Sequence, residues 1–210
     1  MNLAGLVPLL QETPEYRLLT DLADQEMAEK ALGASSGDAL GVIQPARPFL
    51  VAALYQQLGR PIVMLTARDE RVGYRTNQLD IWTGADDILP FPEPDPLPYE
   101  RVPWTRETVT DRLTAMAALL RWEKAGGSST SQPPFIVASA RALMHKTLPV
   151  REFRMGLRQY RRGQEVDLQR MVSSWVAHGY RPETVVEEPG TFSRRGGLID
   201  VFPPLSLIHI

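Results

Sequence analysis

The octet Gly41-Val42-Ile43-Gln44-Pro45-Ala46-Arg47-Pro48 has the outline of a phosphate-binding loop without its donors. Such a loop needs a second Gly, then Lys, then Ser or Thr. Backbone N–H groups, an ammonium and a hydroxyl then converge on the phosphates and Mg²⁺. Ala46, Arg47 and Pro48 stand in those three places. Pro48 offers neither a hydroxyl nor a backbone N–H. The octet also fits a plain βα turn with Pro near the helix start. On both readings nucleotide binding is not expected, and no cofactor is. A second constellation is Arg194-Arg195, flanked by Phe192 and by Gly196-Gly197. Two adjacent Arg on an extended segment would form a cationic fork suited to a carboxylate or phosphate partner. The alternative is a solvated strand edge in which the two Gly allow a bulge.

Other chemistry-bearing residues are less promising. His145, His178 and His209 lack ligand spacing and the chain has no Cys, so no metal site is expected. Asp95 and Glu100 lie in a Pro-rich loop with no nucleophile nearby, and with Glu93 they read as a solvated rim. The series Arg151, Arg154, Arg158, Arg161 and Arg162 could touch DNA phosphates, but Glu152, Glu165 and Asp167 lie close by and no aromatic ladder accompanies it, which favours a solvated face. Trp122 and Trp175 read as core.

The elements that would position these residues fall into two groups. Leu3–Leu10 has the spacing of a short helix, and Glu15–Ala31 that of a second. Asp38–Ile43 reads as a strand into the octet, Phe49–Tyr55 as the helix out of it, and Pro61–Thr66 as the next buried strand. Arg68–Trp82 is expected to be helical. From Ile88 the chain is punctuated by Pro90, Pro92, Pro94, Pro96, Pro98 and Pro103, which predicts an ordered extended loop. Arg112–Trp122 is helical by periodicity, with Leu113, Met116 and Leu120 on one stripe. Residues 126–134 read as a flexible connection, Phe135–Ser139 as a buried strand and Ala140–Lys146 as a short helix. Residues 1–149 therefore suit a parallel sheet covered by helices, an α/β domain.

Beyond Pro149, Arg151–Arg158 alternates as a half-exposed strand does. Glu165–Ala177 reads as a helix stopped by Gly179, and Thr184–Glu187 and Leu198–Phe202 as strands. Residues 150–204 thus form a small α+β unit whose last strand runs nearly to the end of the sequence. Residues 205–210 read as a truncation point or an artefactual tail.

At 210 residues with 43% hydrophobic and 23% charged residues, the composition is that of a globular protein. The net charge of −2 is unevenly distributed. Residues 1–149 carry 14 Lys/Arg against 18 Asp/Glu, whereas residues 150–210 carry 9 Arg against 7 Asp/Glu and no Lys. No apolar run is long enough to span a bilayer and no signal-peptide pattern opens the chain, so a cytoplasmic location and no membrane partner are expected.

The segment order resembles the N-terminal module of bacterial transcription-repair coupling factors, itself similar to the first part of the excision-repair protein UvrB. The most specific match is Glu187-Glu-Pro-Gly-Thr-Phe-Ser-Arg-Arg-Gly-Gly-Leu-Ile-Asp-Val-Phe-Pro203, close to the family element G-x-F-x-x-R-G-x-x-[IL]-D-[IL]-F-P. Leu89-Pro-Phe-Pro, Leu97-Pro-Tyr-Glu-Arg101, Asp111-Arg-Leu113 and Phe135–Leu143 match more weakly. The resemblance implies a UvrB-like domain that has lost its phosphate loop, followed by an incomplete UvrA-interaction domain lacking the family's next strand pair. It implies UvrA as partner, with Arg195 a contact and Arg194, Phe192 and Gly196 beside it. It also implies a non-catalytic recruitment module with a part in autoinhibition. The family's ATP-dependent DNA translocase motor and RNA-polymerase-binding domain would lie C-terminal to these residues, so RNA polymerase and DNA are partners implied for the full-length protein. The alternative is a nucleotide-hydrolysing UvrB-type helicase domain, against which Ala46, Arg47 and Pro48 argue.

Overall fold

A computed structural model describes residues 3–21, 41–83, 88–96, 99–127, 132–158 and 160–203. Chain contacts divide it into Met1–His145 and Lys146–Ile210.

In the first unit, α1 is Val7–Gln11, α2 covers residues 14–21 and α3 is Arg47–Leu58. There follow β1 (Ile62–Thr66), α4 (Glu70–Thr83), β2 (Ile88–Phe91), α5 (Arg106–Lys124), β3 (Phe135–Ser139) and α6 (Ala140–Met144). The strands make a parallel sheet in the order β1-β3-β2, as the α/β reading requires. Every residue of the central strand β3 is buried, and strand alternation sorts them into two cores. Phe135 and Val137 pack with Tyr55 of α3, Val72 and Leu79 of α4 and Ile88. Ile136 and Ala138 pack with Phe91, Ala115 of α5 and Ala142 of α6. A sheet covered on both faces explains why β3 is apolar from Phe135 to Ala138 rather than alternating. Thr105 caps α5 by accepting the Thr108 N–H, and Ser139 caps α6 by accepting that of Ala142.

Three expectations for this unit are corrected. Ile88–Phe91 is strand β2 and not loop. Among the described strands it lies at an edge of the sheet, a position that tolerates Pro90. Strand β1 pairs on one side only among the described strands, and its Val63 and Leu65 are half exposed rather than buried. Residues 41–43 belong to no strand, while residues 38–40 lie outside the described residues. The remainder of the Glu15–Ala31 helix, residues 128–131 of the connection and residues 204–210 are likewise outside them.

In the second unit, α7 is Val150–Gly156, α8 is Leu168–Ala177, and β4 (Arg181–Pro182), β5 (Thr191–Arg195) and β6 (Leu198–Phe202) form a mixed sheet in that order. The predicted strand over 151–158 is instead α7. Pro149 accepts the Phe153 N–H at its start, and Phe153 is its one buried side chain. With a single buried residue, polar–apolar spacing carries no information about facing. Thr184–Glu187 is not a strand either, since the residues that pair with β5 are Arg181 and Pro182, in parallel.

Helix α8 begins where Asp167 accepts the Gln169 and Arg170 N–H groups. Its end shows how sequence sets packing. Gly179 adopts φ +87, its N–H bonds Val176 O at 3.1 Å, and the Tyr180 N–H bonds Trp175 O at 3.0 Å. This is the paired-bond helix stop that a left-handed Gly permits, and it brings the residue after Gly back over the last turn. Tyr180 accordingly stacks on Trp175 at 5.7 Å. Phe192 of β5 meets the same indole at 5.7 Å and Tyr160 meets it edge-on at 6.2 Å. Trp175 is thus where helix and sheet of the unit meet.

Trp175→Ala is expected to destabilise the second unit by about 3–5 kcal/mol, the range for emptying a buried aromatic site. Urea unfolding followed by far-UV circular dichroism measures this, and a loss under about 1 kcal/mol would contradict the hub assignment.

Candidate partner-binding hairpin

Strands β5 and β6 form an antiparallel hairpin in which Arg195 faces Leu198 across the two-residue turn Gly196-Gly197. Gly196 has φ +64, the left-handed conformation that tight hairpin turns demand at their first central position. The turn fixes the register, and the register fixes which side chains share a face. Phe192 and Arg194 point to one side, Thr191, Ser193 and Arg195 to the other.

The pleat corrects the fork. Arg194 and Arg195 lie on opposite faces and do not act as one cationic pair. Phe192 is 3% exposed and turned onto Trp175, so it is part of the core and not a surface contact. Both Arg side chains are exposed. Arg194 Nε donates to Gly196 O at 3.3 Å, bracing the turn from its own strand. Arg195 Nη2 lies 3.9 Å from Asp200 Oδ2, with side-chain exposures of 67% and 64%. A solvated pair at that distance contributes little, so Arg195 can exchange it for a partner's carboxylate at small cost. Leu198, directly across from Arg195 and 74% exposed, joins the same surface. It was missed at the sequence level, although the Gly-Gly turn, by fixing the register, could have revealed it.

The rest of the unit holds the hairpin in place. Ser193 Oγ donates to Thr184 O at 3.2 Å and Thr191 Oγ1 to Glu188 O at 2.6 Å. The Gly190 N–H bonds Phe202 O at 2.7 Å. Arg181 and Glu188 add a surface ion pair at 3.1 Å.

In the octet of the first unit, Gln44–Ala46 is one 3₁₀ turn leading directly into α3. The Ala46 N–H bonds Ile43 O and the Arg47 N–H bonds Gln44 O. The Arg47 Nε–H turns back to Val42 O at 3.1 Å. Pro48 is buried in the first turn of α3. Two of the octet's amides, those of Ala46 and Arg47, and the Arg47 Nε–H are therefore engaged by carbonyls of the same segment.

The C-terminal ends of the strands, where open α/β sheets usually take ligands, carry a polar junction that sequence reasoning missed. Ser139 Oγ donates to Glu93 Oε1 at 2.6 Å, and Arg141 Nε lies 3.4 Å from Glu93 Oε2. Asp69 Oδ1 accepts the Glu93 N–H at 2.9 Å. Buried Arg112 donates through Nη1 to Pro92 O at 2.8 Å and Ala142 O at 3.3 Å, with its guanidinium 3.9 Å from the Phe91 ring centre and 5.3 Å from that of Trp104. Burial pushes the Asp69 carboxyl above its ordinary range, and burial lowers Arg112. Glu93 therefore belongs to this junction and not to a solvated rim. Asp95 does remain exposed, accepting the Thr105 N–H at 3.0 Å, and that bond lowers its pKa. Among the described residues no group of three or more His, Asp or Glu side chains could hold a metal ion, and no helix is long and apolar enough to cross a membrane.

A family model described as the UvrB interaction domain matches residues 159–209, a stretch that includes α8 and the hairpin. The chain is 33% identical over 171 residues to a transcription-repair-coupling factor of Myxococcus xanthus, covering 79% of this chain and 14% of the relative. It is 23% identical over 163 residues to that of Staphylococcus aureus, covering 78% of the chain and 13% of the relative. With that of Bacillus subtilis it shares 22% identity over 194 residues, covering 92% and 15%. The chain thus corresponds to roughly a seventh of the length of the relatives it matches.

Proposed function

The chain is a relative of the transcription-repair-coupling factors and carries a UvrB interaction domain; from that premise we propose that it is a recruitment module that binds UvrA through the β5–β6 hairpin. The observation that supports this most is the placement of exposed Arg195 and Leu198 on one face of a hairpin held rigidly on Trp175, inside the matched segment. A guanidinium beside an exposed aliphatic side chain on a fixed backbone is the composition of an interface anchor. In the full-length protein the module would bring UvrA to stalled RNA polymerase on DNA and help hold the resting state. Its setting would be the cytoplasm.

The module acts without catalysis or cofactor in this proposal. What supports this against a nucleotide-hydrolysing UvrB-type domain is the octet: Ala46, Arg47 and Pro48 replace Gly, Lys and a hydroxyl residue, and the Ala46 and Arg47 amides and Arg47 Nε are bonded within the segment. In a fluorescent-nucleotide titration the chain is expected to show no Mg²⁺-dependent saturation by ATP at millimolar concentration. Micromolar binding that requires Mg²⁺ would restore the helicase reading.

Arg195→Ala should leave folding within the small range usual for exposed positions and weaken the UvrA complex by ~1–3 kcal/mol. Isothermal titration of UvrA with wild type and variant decides the matter, with Arg158→Ala as the comparison. Equal affinity of wild type and Arg195→Ala would remove Arg195 from the interface.

A further inference from the structure

Between Arg151 and Arg162 the chain places five Arg and one carboxylate, Glu152, in a protein whose net charge is −2. All five Arg are exposed. The helical form of this segment gives the series a shape that a strand would not. Arg151 and Arg154 stand at i and i+3 on α7, neighbours on one helix surface. At its far end α7 comes close to α8, where a Cβ on Gly156 would lie 3.9 Å from the His178 ring.

Arg161 and Arg162 are presented by a closed turn. The Gln164 N–H bonds Arg161 O at 3.1 Å, the Gln164 side-chain oxygen accepts the Arg161 N–H at 3.1 Å, and Gly163 takes φ +82. Just before the turn, Tyr160 is 42% exposed while its ring meets Trp175 edge-on, tying this segment to the core of the unit. The result is one pair of guanidinium groups on α7 and another on a closed turn, with the accessible ring of Tyr160 beside the turn.

We infer that the Arg151–Arg162 segment is a docking surface for the phosphate backbone of duplex DNA, separate in residues and in chemistry from the hairpin proposed to bind UvrA. Repeated exposed cations suit a continuous anionic backbone, because each contact releases condensed counterions and needs no shaped recess. Guanidinium groups also meet phosphate oxygens in pairs, which lysine does not. An acidic protein partner is less well served, since protein interfaces concentrate a desolvated apolar centre, whereas the exposed large apolar side chains here, Leu148, Val150, Met155 and Tyr160, are spread along the segment among five Arg. Binding of this kind is independent of base sequence.

The test uses the 210-residue chain and a fluorescein-labelled duplex of about 20 base pairs, with anisotropy read between ~50 and ~200 mM salt. Binding should weaken with salt, log K falling by roughly 0.9 per phosphate contact in log salt, to a limit near 4.5 for five Arg. The pair Arg161→Glu with Arg162→Glu, on a turn closed by Gln164 and Gly163, should lower affinity about tenfold or more at ~50 mM salt and flatten the salt slope. The pair Arg194→Glu with Arg195→Glu should change affinity less than about twofold, with circular dichroism confirming that all variants fold. No duplex binding at ~50 mM salt, an equal loss from the hairpin pair, or poly-glutamate competing as well as DNA per unit charge would each overturn the inference.

Discussion

The indole of Trp175 is the contact on which the second unit depends. It receives Tyr180 from its own helix end, Phe192 from the central strand of the sheet and Tyr160 from the segment before α8. The unit spans few residues and has little else that is buried, so one large side chain must bind a helix and a three-stranded sheet together. Gly179 makes the arrangement possible. Only a left-handed residue ends the helix so that Tyr180 turns back onto Trp175 while the chain leaves as β4 beside β5. The hairpin projects from that anchor, which is why its turn can be exposed and still hold its register.

The first unit solves a different problem. Its parallel sheet is covered on both faces and converges at its strand ends on Asp69, Glu93, Ser139 and Arg112. In a ligand-binding sheet of this class those ends remain available to substrate; here Ser139, Arg141 and Asp69 hold Glu93 across them, and Arg112 donates to the Pro92 and Ala142 carbonyls. At the start of α3 the octet likewise bonds the Ala46 and Arg47 amides and the Arg47 Nε–H to its own carbonyls. Both features agree with a domain that keeps the α/β architecture while serving as a scaffold.

Much of this was legible in the residues. The parallel sheet follows from short apolar strands alternating with helical stretches, and Gly179 announced the end of α8. Leu198–Phe202 was legible as a strand and Arg194-Arg195 as an extended segment, whereas the pairing of the two into a hairpin was not, because Gly196-Gly197 also fitted a bulge. What failed did so for identifiable reasons. Pro90 suggested loop, but an edge strand tolerates Pro. Arg151–Arg158 suggested strand because alternation over a segment with one buried residue is not diagnostic. The paired Arg suggested a fork because adjacency in sequence was read as adjacency in space, which the pleat reverses. The junction around Arg112 was invisible since Asp69, Glu93, Arg112 and Ser139 are distant in sequence and become neighbours only once the sheet order is known.

The central claim is that the hairpin is the surface UvrA meets. Hydrogen–deuterium exchange of the chain alone and in the presence of UvrA tests it most directly, because it reports on every backbone amide at once. The account predicts slower exchange over residues 191–202 on addition of UvrA, with β1 and β3 of the first unit unchanged. Protection confined to the first unit, with residues 191–202 exchanging as in the free chain, would contradict it.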